Sequence, residues 1–245
     1  MTSLLFSIMM IRKIVQKISI ILFNISPRLW AIVSDAYSWA SRFNPVDAYL
    51  RRRYIKNAES FWTNEDGIGP LEDSTERTRL LRQQISSLGV TSVLEVGCSY
   101  GAVLKALMQD ENCKITHLAG CDFGTTRLEK ARGFIGNDRV ELVYCDVTKE
   151  LPYRDNSYDL LFSISTLQHV SPEDLDKALS EMVRVARRYI VHEEYMVPSS
   201  LSFAHDYPSW YQKRGHRITF RARNWEPSKR HRELLVIELN KLNLT

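Results

Sequence analysis

No Asp or Glu precedes Asp35, no uncharged apolar run is long enough to span a membrane, and no two cysteines stand at metal-ligand spacing. Each absence closes a class. The early uncharged runs, residues 1–11 and 18–27, fall short of the roughly 20 apolar residues a transmembrane helix needs. Arg12 and Lys13 follow the first apolar run instead of preceding it, and no small-residue cleavage site is evident, so the segment does not read as a secretory signal. Cys98, Cys113, Cys121 and Cys145 form no CxxC pair and have no histidine at zinc spacing, so no metal site is expected. Three of them fall at expected buried strand ends, where a thiol serves as a small hydrophobe. A reducing, cytoplasmic setting is the simplest reading. Internal repeats and low-complexity tracts are also missing.

What remains is an ordinary globular composition, 44% hydrophobic and 25% charged, with a net charge of +4. Charge is uneven in two places: the acid-free start, and residues 213–232, where Glu226 is the single acid among Lys and Arg. In residues 1–33, Ile11, Ile14, Val15, Ile18, Ile21, Leu22 and Ile25 recur at helical spacing, interrupted by Lys13, Gln16, Lys17 and Asn24. Two readings stand. The segment is a basic amphipathic helix lying peripherally on an anionic membrane surface, or it caps the domain's own core. Residues 1–60, including "YLRRRYIK", are read as a helical extension or lid, and residues 61–245 as one α/β domain.

The capping-box pattern Asp73–Glu76 predicts a helix that stops at Gly89. Strand and helix patterns then alternate. "TSVLEV", "KITHLAGCD", "RVELVYCD", "YDLLFSIS" and "RRYIVHEE" read as strands, separated by helices over 101–110, over 124–133 and after Ser171-Pro172. Such alternation predicts a Rossmann-like, doubly wound and mostly parallel sheet. "HRITFRARNW" and "ELLVIELNK" predict an antiparallel closing pair at one edge.

Ligands of such sheets bind beyond the carboxyl ends of the strands. Four strand ends supply candidates there: Glu95, Gly97, Ser99 and Gly101; then Asp122 with Phe123; then Asp146 with Val147; and Ser163 through His169. Glycines allow a sharp turn and a close ligand approach. An acid about 20 residues beyond such a turn suits ribose hydroxyls, and Asp146 is placed to accept from an adenine amine.

These residues resemble the class I S-adenosylmethionine-dependent methyltransferases. Glu95-Val-Gly97-Cys-Ser99-Tyr-Gly101 is similar to that family's acid-x-Gly-x-Gly-x-Gly motif, with Ser99 in place of the middle glycine. "GCDFGTTRLEKAR" resembles its second motif, and "YCDVTKELPYRDNSYDLLFSISTLQHV" its third and fourth regions, ending in the late histidine His169. The resemblance covers residues 91–194 and does not reach residues 1–60. It implies S-adenosyl-L-methionine as cofactor and methyl transfer by in-line displacement, with alignment as the main catalytic device. The cofactor-binding set it implies is Glu95, Gly97, Ser99, Gly101, Asp122, Phe123, Asp146, Val147 and Ser163.

An oxygen or nitrogen acceptor must also lose a proton, for which His169, His205 and Asp206 are the candidates. "AHDYPSWYQKRGHR" reads either as a base in an aromatic-walled pocket or as a helix cap at Asp206. The basic cluster at 213–232 faces an anionic acceptor or is a solvated edge strand. No dedicated nucleic-acid module is recognisable, and the expected acceptor is a small molecule, a sugar or a lipid-linked compound. A nicotinamide-dependent reductase fits less well, since Gly97-x-x-x-Gly101 lacks the Gly-x-Gly-x-x-Gly fingerprint and no tyrosine has a lysine four residues later. A non-catalytic scaffold at a membrane surface would have no need of the strand-end acids.

Overall fold

The computed structural model describes residues 78–137, 139–196, 202–223 and 231–241. The amphipathic segment 1–33, the extension 1–60 and the Asp73–Glu76 capping box lie outside the described residues. The described chain runs α1 (Arg79–Ser87), β1 (Ser92–Val96), α2 (Ala102–Met108), β2 (His117–Asp122), α3 (Thr125–Ile135) and β3 (Val140–Tyr144). It continues through β4 (Tyr158–Ile164), a 3-10 turn (Leu167–His169), α4 (Pro172–Val185), β5 (Ala186–Tyr195), α5 (Tyr207–Lys213), β6 (Arg217–Arg223) and β7 (Arg232–Glu238).

The strands form one sheet in the order β3-β2-β1-β4-β5-β7-β6. The pairs β1–β2, β1–β4, β2–β3 and β4–β5 are parallel, whereas β7 runs antiparallel to both β5 and β6. The expected alternation and closing pair are both present. The chain winds outward from β1 in one direction through β2 and β3, then returns to the other side of β1 as β4. This reversal opens a crevice at the carboxyl ends of β1 and β4.

Central strands are apolar on both faces because helices cover both. In β4, Tyr158 through Ser163 are all buried, and the sheet separates two apolar layers, one around Leu94, Leu161 and Met182, the other around Val93, Leu104 and Phe162. Helix α4 starts where Ser171 Oγ accepts the N–H of Asp174, with Pro172 at the first helical position, where no amide is needed. Its Leu179, Met182 and Val183 recur at helical spacing and are buried against the sheet. No helix among the described residues is long and apolar enough to cross a membrane.

One expectation is corrected. Cys121 and Cys145, read from sequence as separate buried thiols, form a disulfide. Parallel pairing of β2 with β3 brings their Cα atoms to 5.5 Å, a proximity that a separation of 24 residues does not reveal. Cys98 and Cys113 remain free thiols.

Candidate active site

The turn after β1 is built around backbone conformations that side chains resist. Gly97 and Gly101 have φ of +80° and +74°, the left-handed region in which glycine is at ease. Ser99 sits between them at φ +49°, so the serine adopts the conformation expected of the glycine it replaces. The N–H groups of Gly97 and Cys98 donate to the Cys121 carbonyl at 2.7 and 3.0 Å. A Cβ on Gly97 would lie 2.2 Å from Thr166 Oγ1, so the β4 loop presses directly on the turn.

Asp122, the last residue of β2, fastens this turn from the other side. Its Oδ2 accepts the Ser99 N–H at 3.0 Å, and its Oδ1 accepts the Gly124 N–H at 2.8 Å. The buried Arg127 guanidinium lies 3.3 Å from Oδ1 and 5.2 Å from the Phe123 ring centroid. A carboxylate offers about four lone-pair sites, so these three contacts leave about one acceptor site on a side chain that is 4% exposed.

Glu95 is 3% exposed, and its Oε2 is buried with no hydrogen-bond partner. Burial, and then the Asp122 charge, push its pKa well above the usual carboxylate range. A buried acceptor without a donor is costly, and a cationic or N–H-bearing ligand would relieve it. Asp146 follows β3, where Oδ1 accepts the Thr148 N–H at 2.9 Å and the Thr148 hydroxyl at 2.7 Å. Val147 beside it packs against the apolar layer. Phe123, directly after β2, is 36% exposed.

The structure therefore brings Glu95, Gly97, Ser99, Gly101, Asp122, Phe123, Asp146 and Val147 to neighbouring strand ends. Ser163 does not join them. It is fully buried, with its Oγ donating to Glu194 Oε1 at 2.8 Å and lying 2.9 Å from His192 Nδ1. Its hydroxyl belongs to an internal network beneath the crevice.

Among the acceptor-side candidates, His169 ends the 3-10 turn and is half-buried, its Nε2 3.2 Å from Gln168 Nε2. His205 is 4% exposed, its Nε2 lies 3.1 Å from the Val170 carbonyl, and burial pushes its pKa down to about 4. A histidine so enclosed is poorly placed to take a proton from a ligand. Asp206 is the N-cap of α5, accepting the Ser209 N–H at 3.1 Å and the Ser209 hydroxyl at 2.7 Å. Of the two readings left open for that stretch, the structure has the helix cap.

Sequence reasoning missed Thr166, Arg127 and Glu194. The signal for Glu194 was present: "HEE" places acids inside a strand whose neighbours are apolar.

Comparison with known proteins agrees with this geometry. Residues 94–189 match a family model described as a methyltransferase domain. The methyltransferase GfsG of Streptomyces halstedii is 28% identical over 151 residues, covering 59% of this chain and 52% of GfsG. The tRNA N(3)-methylcytidine methyltransferase Mettl2 of Drosophila melanogaster is 24% identical over 156 residues, covering 58% of this chain and 48% of Mettl2. The chain thus spans about half the length of these curated relatives. In fold it is similar to the PH0226 protein of Pyrococcus horikoshii OT3, with a TM-score of 0.58 and 14% identity over 73% of this chain and 95% of that one. It is also similar to the magnesium protoporphyrin IX methyltransferase of Synechocystis PCC 6803, solved with bound SAH. There the TM-score is 0.56, with 14% identity, over 79% of this chain and 99% of that one.

Residues 94–189 of the described α/β unit thus match a methyltransferase domain, on the Rossmann-like fold of the solved methyltransferase. The strand-end acids and the unsatisfied Glu95 oxygen fit S-adenosylmethionine, the methyl donor that a methyltransferase domain implies.

Proposed function

We propose that the chain is an S-adenosylmethionine-dependent methyltransferase acting on a small-molecule, sugar or lipid-linked acceptor. When bound, the cofactor supplies an electrophilic methyl group on a sulfonium. The chain's own residues do the rest. Gly97 and Gly101 hold the left-handed turn packed on Thr166 and Ile135, Asp122 grips the ribose hydroxyls, Asp146 meets the adenine amine, and Glu95 answers the positive charge of the amino-acid portion. His169 is the remaining acceptor-side base, taking the acceptor's proton at a ring nitrogen as the methyl group is transferred.

The observation favouring an acceptor other than nucleic acid is the state of the basic cluster. Arg214 pairs with Asp176, Arg217 with Glu238, Arg221 and Arg223 with Glu233, and Arg232 with Glu193. Guanidiniums already held by carboxylates have less charge to offer a phosphate backbone, whose neutralisation supplies most nucleic-acid affinity. The competing reading is tRNA, favoured by the similarity to the tRNA methyltransferase Mettl2 and to the probable tRNA methyltransferase 9B of Mus musculus, which is 34% identical over 94 residues. Those residues are 38% of this chain and 19% of that protein.

The test is transfer of labelled methyl from cofactor to separated pools of tRNA, lipid extract, sugars and small metabolites. Label in the non-RNA pools supports the reading, and label in tRNA alone replaces it. The segment 1–33 adds a proposal of its own, peripheral attachment to an anionic membrane. Co-sedimentation of the full chain with anionic vesicles, weakened by salt, supports it. Indifference to vesicles removes it.

A further inference from the structure

Glu194, one residue before the end of β5, is fully buried. Its Oε1 accepts the N–H groups of Thr166 and Leu167, both at 3.2 Å, and its Oε2 accepts the Gln168 N–H at 3.3 Å. The Ser163 hydroxyl donates to Oε1 at 2.8 Å. Three consecutive backbone donors thus converge on one carboxylate. Successive N–H groups in a turn form a concavity suited to an anion, and here the anion is the chain's own.

The loop so held is the one that shapes the site. Ser165, which opens it, has φ +53°, a conformation that a non-glycine residue keeps only where surrounding contacts over-determine it. Thr166 is the residue against which Gly97 packs. His169 closes the loop, its own N–H donating to the Thr166 carbonyl at 3.0 Å. We propose that Glu194 is a positioning residue for methyl transfer: its charged carboxylate clamps residues 165–169 against the glycine turn, and the cofactor pocket is fully formed only while that clamp is charged. The proposal rests on the methyltransferase reading of the site.

Protonation would loosen the clamp by a specific route. A hydrogen on either oxygen turns an acceptor into a donor facing backbone N–H groups, and the contact from Gln168 to Oε2 is the one most readily lost. Burial pushes Glu194 up to about 7, against the opposing effect of its four donors. The groups sharing its face do not compensate. His192 on β5 is pushed down to about 3 by burial and is neutral, with Nε2 2.7 Å from the Tyr211 hydroxyl. Tyr207 and Tyr211 on α5 are both pushed up and neutral, and the Tyr207 hydroxyl is buried without a hydrogen-bond partner. Glu233, directly across on β7, is balanced by Arg221 and Arg223 of β6. Glu193 points to the opposite face of the strand, where Arg232 meets it.

The experiment is calorimetric titration of the full-length chain with S-adenosylmethionine between pH 5.5 and 8.5, for the native protein and for Glu194→Gln. Native affinity is expected to rise with pH and to level off above about 7. Glu194→Gln keeps the volume but not the charge. It is expected to bind roughly tenfold more weakly at pH 8, the scale of one charge-assisted hydrogen bond, and to lose the pH dependence. A variant that melts like the native protein yet keeps its affinity and pH profile overturns the proposal. Should the variant fail to fold, the amide resonances of Thr166, Leu167 and Gln168 in the native protein decide. A shared titration near pH 7 supports the clamp, and three unrelated or flat curves overturn it. If the native chain binds no cofactor at any pH, the methyltransferase reading fails while the amide titration still judges the clamp.

Discussion

Asp122 Oδ2 accepts the backbone N–H of Ser99 at 3.0 Å. The acid that ends β2 is therefore a structural fastener of the glycine turn as well as the proposed ribose anchor. The same carboxylate holds the Gly124 N–H and the buried Arg127, so its two roles should fail together.

Asp122→Ala is expected to weaken cofactor binding by about 1–3 kcal/mol, the usual range for losing a hydrogen bond to a charged group. It should also destabilise the fold, by up to roughly 3–5 kcal/mol, because the buried Arg127 loses its Asp122 carboxylate. The double variant Asp122→Ala/Arg127→Met should recover stability without recovering cofactor affinity. Calorimetric binding and thermal melting, run in parallel, check both halves.

Gly97→Val should abolish cofactor binding. The new side chain would meet Thr166 at distances no real contact shows, on a backbone at φ +80°. The milder Gly97→Ala should lose part of the affinity, and adding Thr166→Gly should restore some of it by vacating the space the Cβ needs. No rescue would mean that the left-handed backbone alone causes the loss.

The candidate cofactor crevice was legible because its signals are local. A glycine turn after an apolar strand, with acids ending the next two strands, places Glu95, Asp122 and Asp146 in one crevice once a parallel sheet is inferred. The rest depends on register. Ser163 stands beside His192 in the β4–β5 pairing, and the buried Ser163–His192–Glu194 network follows from that, as does the removal of Ser163 from the cofactor set. The Cys121–Cys145 disulfide follows likewise from the pairing of β2 with β3. The stretch around His205 and Asp206 read from sequence as either a base in an aromatic-walled pocket or a helix cap; His205 is buried and Asp206 caps α5.

The buried histidines should make the fold acid-sensitive. Burial lowers His205 to about 4 and His192 to about 3, from an ordinary 6.5. Below about pH 6.5 the unfolded chain binds protons that the folded chain refuses, so stability falls as pH drops towards 4. Glu194 acts with the opposite sign. Raised to about 7, it keeps its proton in the folded state after the unfolded carboxylate has lost its own, so its contribution declines between pH 4.5 and 7. His205→Gln should lose less melting temperature between pH 6.5 and 5 than the native protein does. An identical slope in both would remove His205 from the account.

The arginines of β6 should differ in weight. The Arg217–Glu238 pair is exposed, at 74% and 37% of its side-chain surfaces, and its loss should cost about 0–1 kcal/mol. Arg223 is 19% exposed and answers a Glu233 side chain that is 0% exposed. Arg223→Ala should therefore destabilise by more than Arg217→Ala, though Arg221 continues to offset part of the Glu233 charge. Urea unfolding of the two variants side by side gives the comparison.

The most direct measurement of the central claim is equilibrium binding of S-adenosylmethionine, S-adenosylhomocysteine and NADH to the full-length chain at neutral pH. The account predicts saturable binding of both sulfur compounds, weakened by Asp122→Ala, and none of NADH. Binding of NADH alone, or of no ligand by a protein that melts cooperatively, would contradict it.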